Sequence, residues 1–379
     1  NCCFCHKSKI LVKVVKAPHS FYFKHLYLFL PTSINLKSVS EKQFHNFGKF
    51  DLELGGYLPE LTIAYHTYGK MNTDQSNVIW VCHALTANSD PSVWWDGLVG
   101  KGKLFDPEKY FIVCANILGS CYGTTGPLSV NPETGKPYYY SFPDVTIRDV
   151  VQSFILLRKK LGIEKIKLGI GGSCGGYQIM EWAMMEPQVI ENQCILCSSP
   201  KEAPWGVAIH TAHRSAIELD PTWGIETPHA GLEGMKRARQ IGLLFYRNHE
   251  AYNIRQKEES ENKTDEFKVS SYLKCQGEKL AKRFNAISYH KLTKLLDTHN
   301  IARGRFDTME EALASIGQRT LIIGIHSDLL CPVSEQVHMN EHIPDCEYQE
   351  IESLYGHDGF LIENEEISVA IRNRFEFIS

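Results

Sequence analysis

From about residue 50 the apolar positions fall into short continuous runs separated by longer segments with helical spacing. "LTIAYHTYG" and "NVIWVCHA" read as strands, the second apolar almost throughout, as expected of a strand buried on both faces. "YFIVCAN", "IKLGI", "ENQCILCSS", "RTLIIGIHSD" and "CEYQEIES" add further strands in chain order. Between them, "VTIRDVVQSFILLRKKLG" spaces Val150, Ile155 and Leu156 as a helix does, and Thr146 with Asp149 is placed for a capping box at its start. "GYQIMEWAMME" is helical as far as Pro187, and further helices are expected from Val333 and near the C-terminus. Strand alternating with helix predicts an α/β fold, a mostly parallel sheet with helices on both faces.

The rhythm breaks between about 200 and 315. The spacing there is mostly helical, no buried strand is visible, and the polar run "QKEESENKTDEFK" reads as a solvated face or loop. The expected organisation is a core formed by 41–200 and 316–379, a helical lid inserted at 201–315, and an N-terminal extension at 1–40.

Composition narrows the classes. A chain of 379 residues that is 43% hydrophobic can bury a large core in one or two domains. A net charge of -4 gives no footprint for a nucleic-acid partner. No run of about 18 apolar residues exists, so no transmembrane helix is predicted. Twelve cysteines without framework spacing read as free thiols, which suits a reducing cytoplasm. In the extension, "FYFKHLYLFLP" is apolar but broken by Lys24, His25 and Pro31. It reads as a disordered or artefactual tail, with a signal or transit segment as the alternative, and its removal is expected to leave activity intact. "CCFCH" at 2–6 fits the c-type haem attachment pattern, but no second haem signal follows.

The candidate chemistry centres on "GIGGSCGGYQ", where G-x-S-x-G and G-x-C-x-G overlap. A strand precedes it and a helix follows, the setting of a nucleophile elbow. Ser173 and Cys174 are both candidates for the attacking group. In a hydrolase-like fold the chain order is nucleophile, acid, histidine, and the N–H after the nucleophile helps form an oxyanion hole. Asp328, just past "TLIIGIHSD", is the candidate acid. Of the histidines after it, His338 and His342 fall on an expected helix and read as surface residues. His357, in the glycine-flanked "LYGHDGF", is the candidate base. The loop after "NVIWVCHA" would supply the second oxyanion N–H from Leu85. His83 is out of order for a triad and reads as a packed, hydrogen-bonded histidine. Cys194 and Cys197 read as core thiols, the paired tryptophans of "SVWWDGLVG" as core or pocket wall, and no metal-ligand cluster stands out.

Taken together, "VCHALT", "WWDGLVG", "GSCYGTTGP", "TIRD", "GGSCGG…EWA", "DPTW", "IGIHSDLLCP" and "YGHDGF", in this order, resemble the homoserine O-acetyltransferase family of the α/β-hydrolase superfamily. The resemblance runs from about residue 45 to the C-terminus. It implies that Ser173 is the nucleophile and that Cys174, where the family often has methionine, contributes its backbone N–H. It also assigns Asp328 and His357 as acid and base, Asp358 to the acceptor's amino group, and, through "ARQIGLLFY", Arg239 to its carboxylate and Tyr246 to the pocket. The implied substrates are acetyl-CoA as acyl donor and L-homoserine as acceptor, in methionine biosynthesis, with no bound cofactor and no metal. A homodimer is expected by analogy. Succinyl-CoA as donor, or serine as acceptor, is the nearest alternative. A plain esterase would have no use for Arg239 and Asp358, and a non-catalytic relative would have no need of all three triad members.

Overall fold

The computed structural model describes residues 40–378, so the expectations for the N-terminal extension, its haem-like motif included, lie outside the described residues. Eight strands form the main sheet: β1 Gln43–Asn46, β2 Thr62–Tyr68, β3 Val78–Cys82, β4 Phe111–Ala115, β5 Leu168–Gly172, β6 Asn192–Leu196, β7 Arg319–Ile325 and β8 Cys346–Ile351. Their order across the sheet is β1-β2-β4-β3-β5-β6-β7-β8. The β4, β3, β5, β6, β7 and β8 pairings are all parallel, and only β2 runs against its neighbours. β1 escapes the pattern reading because "QFHN" carries a single apolar residue at the sheet edge.

Burial explains why the central strands read as continuous apolar runs. Every residue of β3, β5 and β6 is buried, whereas edge strand β8 alternates. Successive residues of β3 feed opposite faces, as the strand period requires. Val78, Trp80 and Cys82 join one apolar cluster, Ile79 and Val81 the other. Each such large side chain contributes about 1.5–3 kcal/mol by leaving water.

Helices α1 Ile147–Lys160 and α2 Cys174–Met185 cover the first cluster's side. The capping box forms as expected: the Thr146 hydroxyl accepts from the Asp149 N–H, and the Asp149 carboxylate accepts from the Thr146 N–H. Arg148, one residue into α1, reaches Glu181 on α2 at 3.1 Å and Glu53 at 2.9 Å. Arg303 and Arg305, at the far end of the insertion, pair with the same two carboxylates, so the insertion's return is tied to both helices.

Between β6 and β7 lie α3 Pro204–Glu218, α4 Leu232–Tyr246, α5 His249–Arg255, α6 Lys268–Ala281 and α7 Ala286–Asp297. No sheet strand interrupts them, and the polar run is mostly exposed chain between α5 and α6. After β7, α8 Val333–His342 and α9 Asn364–Arg374 complete the fold. His338 and His342 sit on α8 as expected, half-buried rather than exposed. No described helix is long and apolar enough to cross a membrane. Nine described cysteines are free. Six are buried, Cys121 and Cys346 are half-buried with thiols pushed up by burial to about 11 and about 12, and Cys275 on α6 is exposed.

Candidate active site

β5 runs through Gly171 and Gly172 into Ser173, which caps α2. Ser173 has φ 57° and ψ -128°, a region that side-chain-bearing residues avoid at a cost of about 1–3 kcal/mol. Three hydrogen bonds hold it there. Its N–H donates to Leu196 O at 2.9 Å, and its carbonyl accepts from Gly176 N–H and Ser198 Oγ, each at 2.9 Å. The turn is so tight that a Cβ on Gly171 would lie 2.4 Å from the Gly175 backbone, and one on Gly175 would lie 2.3 Å from Cys82 O. Small residues flank Ser173 because strand and helix backbones touch.

The two nucleophile candidates end up in different places. Ser173 is half-buried and lines a cavity of about 360 Å3. The Cys174 side chain is buried on the other side of the turn, with Sγ 3.7 Å from His83 O and 3.8 Å from Gln178 Nε2. Burial pushes its thiol up to about 12, so it stays protonated and a poor nucleophile. As first residue of α2, Cys174 has an N–H with no carbonyl one turn back to receive it.

His357 and Asp328 meet behind Ser173. Asp328 follows β7 and is 5% exposed; its Oδ1 accepts from the N–H groups of Leu330 and Cys331 at 2.8 and 2.9 Å. Its Oδ2 lies 2.7 Å from His357 Nδ1. Burial opposes charge on the imidazole, but the Asp328 charge and hydrogen bond, with Asp358 and Glu202 farther off, outweigh it and raise the His357 pKa above 6.5. Nε2 is buried and has no hydrogen-bond partner among the described residues, although His357 and Ser173 line the same cavity. Catalytic bonds of this kind commonly close only around a substrate. Cys197, read as a core thiol, is buried; its sulfur also lies within 4.8 Å of the Asp328 and His357 ligand-type atoms.

Leu85 lines the cavity, and its N–H makes no hydrogen bond among the described residues. His83 is fully buried and doubly bonded, as the sequence suggested, and burial lowers its pKa to about 4.

Arg239, Tyr246 and Asp358 line this cavity too. Arg239 and Tyr246 lie seven residues apart on α4, two turns along one face. The guanidinium sits 5.3 Å from the Tyr246 ring centre, and that ring lies 6.3 Å from the His357 ring. No carboxylate among the described residues pairs with Arg239. Asp358, in the short 3-10 turn Gly356–Leu361, does have a partner that sequence reasoning missed: Arg247 Nε donates to its Oδ2 at 3.0 Å. Gly356 (φ 60°) allows the contact, because a Cβ there would lie 2.9 Å from Asn248 N and 3.0 Å from Arg247 C. Of the paired tryptophans, Trp95 is core, donating to Phe360 O at 3.1 Å, and Trp94 is cavity wall. Arg283, also missed, lines the cavity and donates to Thr86 O and Tyr122 OH.

The sequence matches the alpha/beta hydrolase fold family over residues 77–363. A homoserine O-acetyltransferase from Cyclobacterium marinum is 47% identical over 335 residues, which is 88% of this chain and 95% of that protein. The crystal structure of homoserine O-acetyltransferase from Bacillus anthracis superposes with a TM-score of 0.83 at 27% identity, covering 89% of this chain and 97% of that one. A point mutant of esterase E22 also superposes, with a TM-score of 0.81 at 25% identity, covering 88% of this chain and 99% of that one. The scaffold alone therefore does not separate transfer from hydrolysis. The extent and level of sequence identity do place it: this chain belongs to the homoserine O-acetyltransferase family, on the α/β-hydrolase fold.

Proposed function

We propose that this protein transfers an acetyl group from acetyl-CoA to L-homoserine, giving O-acetyl-L-homoserine and CoA for methionine biosynthesis. The observation that carries the acceptor assignment is Arg239, a guanidinium that lines the same cavity as Ser173 and His357 and pairs with no carboxylate among the described residues. An amino acid entering that cavity must exchange its hydration for charged partners. Arg239 offers a planar fork to its carboxylate. Asp358, steadied by Arg247, accepts from its ammonium beside the catalytic base, and Tyr246 walls the space between.

The reaction runs in two halves. His357 Nε2 takes the Ser173 proton as Oγ attacks the thioester carbonyl, and Asp328 fixes the imidazole and stabilises its cation. The Leu85 and Cys174 N–H groups hold the oxyanion; losing one such donor costs about 3 kcal/mol of transition-state stabilisation. The C–S bond breaks, His357 returns the proton to the CoA sulfur, and the acetyl group stays on Ser173. The homoserine hydroxyl then gives its proton to His357 and attacks the acyl-enzyme, releasing the ester and restoring Ser173. The helices of 201–315 act as the lid that keeps water from the acyl-enzyme. The proposal includes a cytoplasmic location, supported by the free thiols of all nine described cysteines, and a homodimer on the family resemblance.

The test is CoA release from acetyl-CoA with and without L-homoserine, repeated with succinyl-CoA and with L-serine. Release that depends on homoserine and prefers the acetyl donor supports the proposal. Release at the same rate without any acceptor would make the protein a hydrolase.

A further inference from the structure

The strand that ends at Cys82 leads through His83, which is fully buried, to Ala84 and Leu85, which line the cavity. The two ring nitrogens of His83 have different partners. The Ile117 N–H donates to Nε2 at 3.1 Å, and Nδ1 lies 2.9 Å from Ala84 O. A backbone N–H can only donate and a carbonyl can only accept. Nε2 therefore carries the lone pair and Nδ1 the proton, so the ring is neutral and in one defined tautomer.

That tautomer bears on the peptide between Ala84 and Leu85. The peptide is trans, as all described bonds are, and planar, so its C=O and N–H point in opposite directions. Holding the Ala84 carbonyl toward the buried imidazole aims the Leu85 N–H away from it, to the cavity side. The preceding peptide is held as well: Gln178 Nε2, on the nucleophile helix, donates to His83 O at 3.2 Å. The Ala87 N–H also reaches Ala84 O, at 3.0 Å, but it belongs to the same loop and moves with it. The His83 side chain instead reaches that carbonyl from the residue directly after β3, a rigid element. We propose that His83 is a positioning residue for acyl transfer: its Nδ1–H fixes the Ala84–Leu85 peptide so that the Leu85 N–H meets the developing oxyanion. This rests on the acyl-enzyme reading of Ser173, but not on the identity of the donor or the acceptor.

Two substitutions separate this role from simple support of the fold. His83→Asn places an amide N–H where Nδ1 stands and loses the acceptor for Ile117. His83→Gln places a carbonyl oxygen where Nε2 stands and loses the donor to Ala84. The readout is the burst of p-nitrophenol from p-nitrophenyl acetate, which reports Ser173 acylation alone. His83→Gln is expected to slow the burst about 100-fold with little change in apparent substrate affinity, and His83→Asn to stay within about 5-fold of wild type. A Gln variant as fast as the Asn variant, or equal losses in both, would overturn the proposal. Nitrogen-15 NMR of histidine-labelled wild-type protein tests it without any substitution: a neutral Nδ1–H tautomer at His83 is required, and an Nε2–H tautomer rules it out. A wild-type burst without homoserine-dependent CoA release would defeat the homoserine reading while leaving this test intact. Absence of any burst from folded wild-type protein would defeat the acyl-enzyme reading, and this proposal with it.

Discussion

Arg247 holds one oxygen of Asp358 at 3.0 Å, immediately beside His357 in the chain. The carboxylate assigned to the acceptor's ammonium is thus oriented in advance, with Oδ1 left for the substrate. The pair is partly exposed, so its loss is discounted from the figure for a fully buried one. Arg247→Ala is expected to raise the KM for homoserine about 5- to 30-fold, equivalent to about 1–2 kcal/mol, with the acylation burst unchanged at pH well above the His357 midpoint. The Asp358 charge, which already pushes the His357 pKa upward, would also lose its counter-charge, so the acid limb of the pH–rate profile should move to higher pH. An equal loss in the burst would show that Arg247 serves the fold.

Ser173 and Cys174 are adjacent in sequence and separate in chemistry. Ser173→Ala should abolish the acyl-enzyme, whereas Cys174→Ala should retain substantial activity because the backbone N–H remains. Intact mass and peptide mapping after mixing with acetyl-CoA should place the added acetyl group on Ser173. An adduct on Cys174 would reverse the assignment.

Arg239→Ala should weaken transfer to homoserine by the about 2–5 kcal/mol typical of an unpaired charged contact, while the first half-reaction proceeds nearly as before. Rapid-quench kinetics separate the two steps. If acylation slowed as much as transfer, Arg239 would be serving the donor instead.

The raised His357 pKa sets two pH dependences. Only neutral His357 can accept the Ser173 proton, so acylation should fall as pH drops through a midpoint above 6.5. Asp328→Asn keeps an oxygen for Leu330 and Cys331 but removes the charge. It should lower kcat by about 10^3–10^4-fold and move the midpoint below that of wild type, since burial then dominates. For stability the sign is the opposite of activity. A histidine whose folded pKa lies above its unfolded one contributes stabilisation that is full below the unfolded value and lost as pH rises through the folded one. The stability gap between wild type and Asp328→Asn should therefore be wider at about pH 5.5 than at about pH 8.5. Urea denaturation at both values measures it.

Much of the site was legible in the sequence because its signals are local. Buried strands announce themselves as apolar runs, the elbow as crowded glycines, and the candidate acid and base by their place after β7 and β8. What stayed hidden depends on contacts between distant segments. The Arg247–Asp358 pair spans 111 residues, and although each partner sits in or beside a quoted motif, neither motif signals that the two meet. The Arg148–Glu181–Arg305 tie joins elements that only the folded chain brings together. His83 could be read as bonded, but not as aiming a peptide, because that follows from which ring nitrogen faces which backbone group. β1 was missed for a simpler reason: a polar four-residue edge strand has no apolar period to read.

The distribution of thiols gives the molecule a ready attachment point for a reporter. Among the described cysteines Cys275 is the one that is exposed, and it lies on α6, within the insertion proposed to shield the acyl-enzyme. With Cys2, Cys3 and Cys5 replaced by serine, a maleimide fluorophore should couple there selectively, far in sequence from Ser173. Its emission would then follow the helices themselves through a turnover, and so separate their movement in time from the bond-making at Ser173.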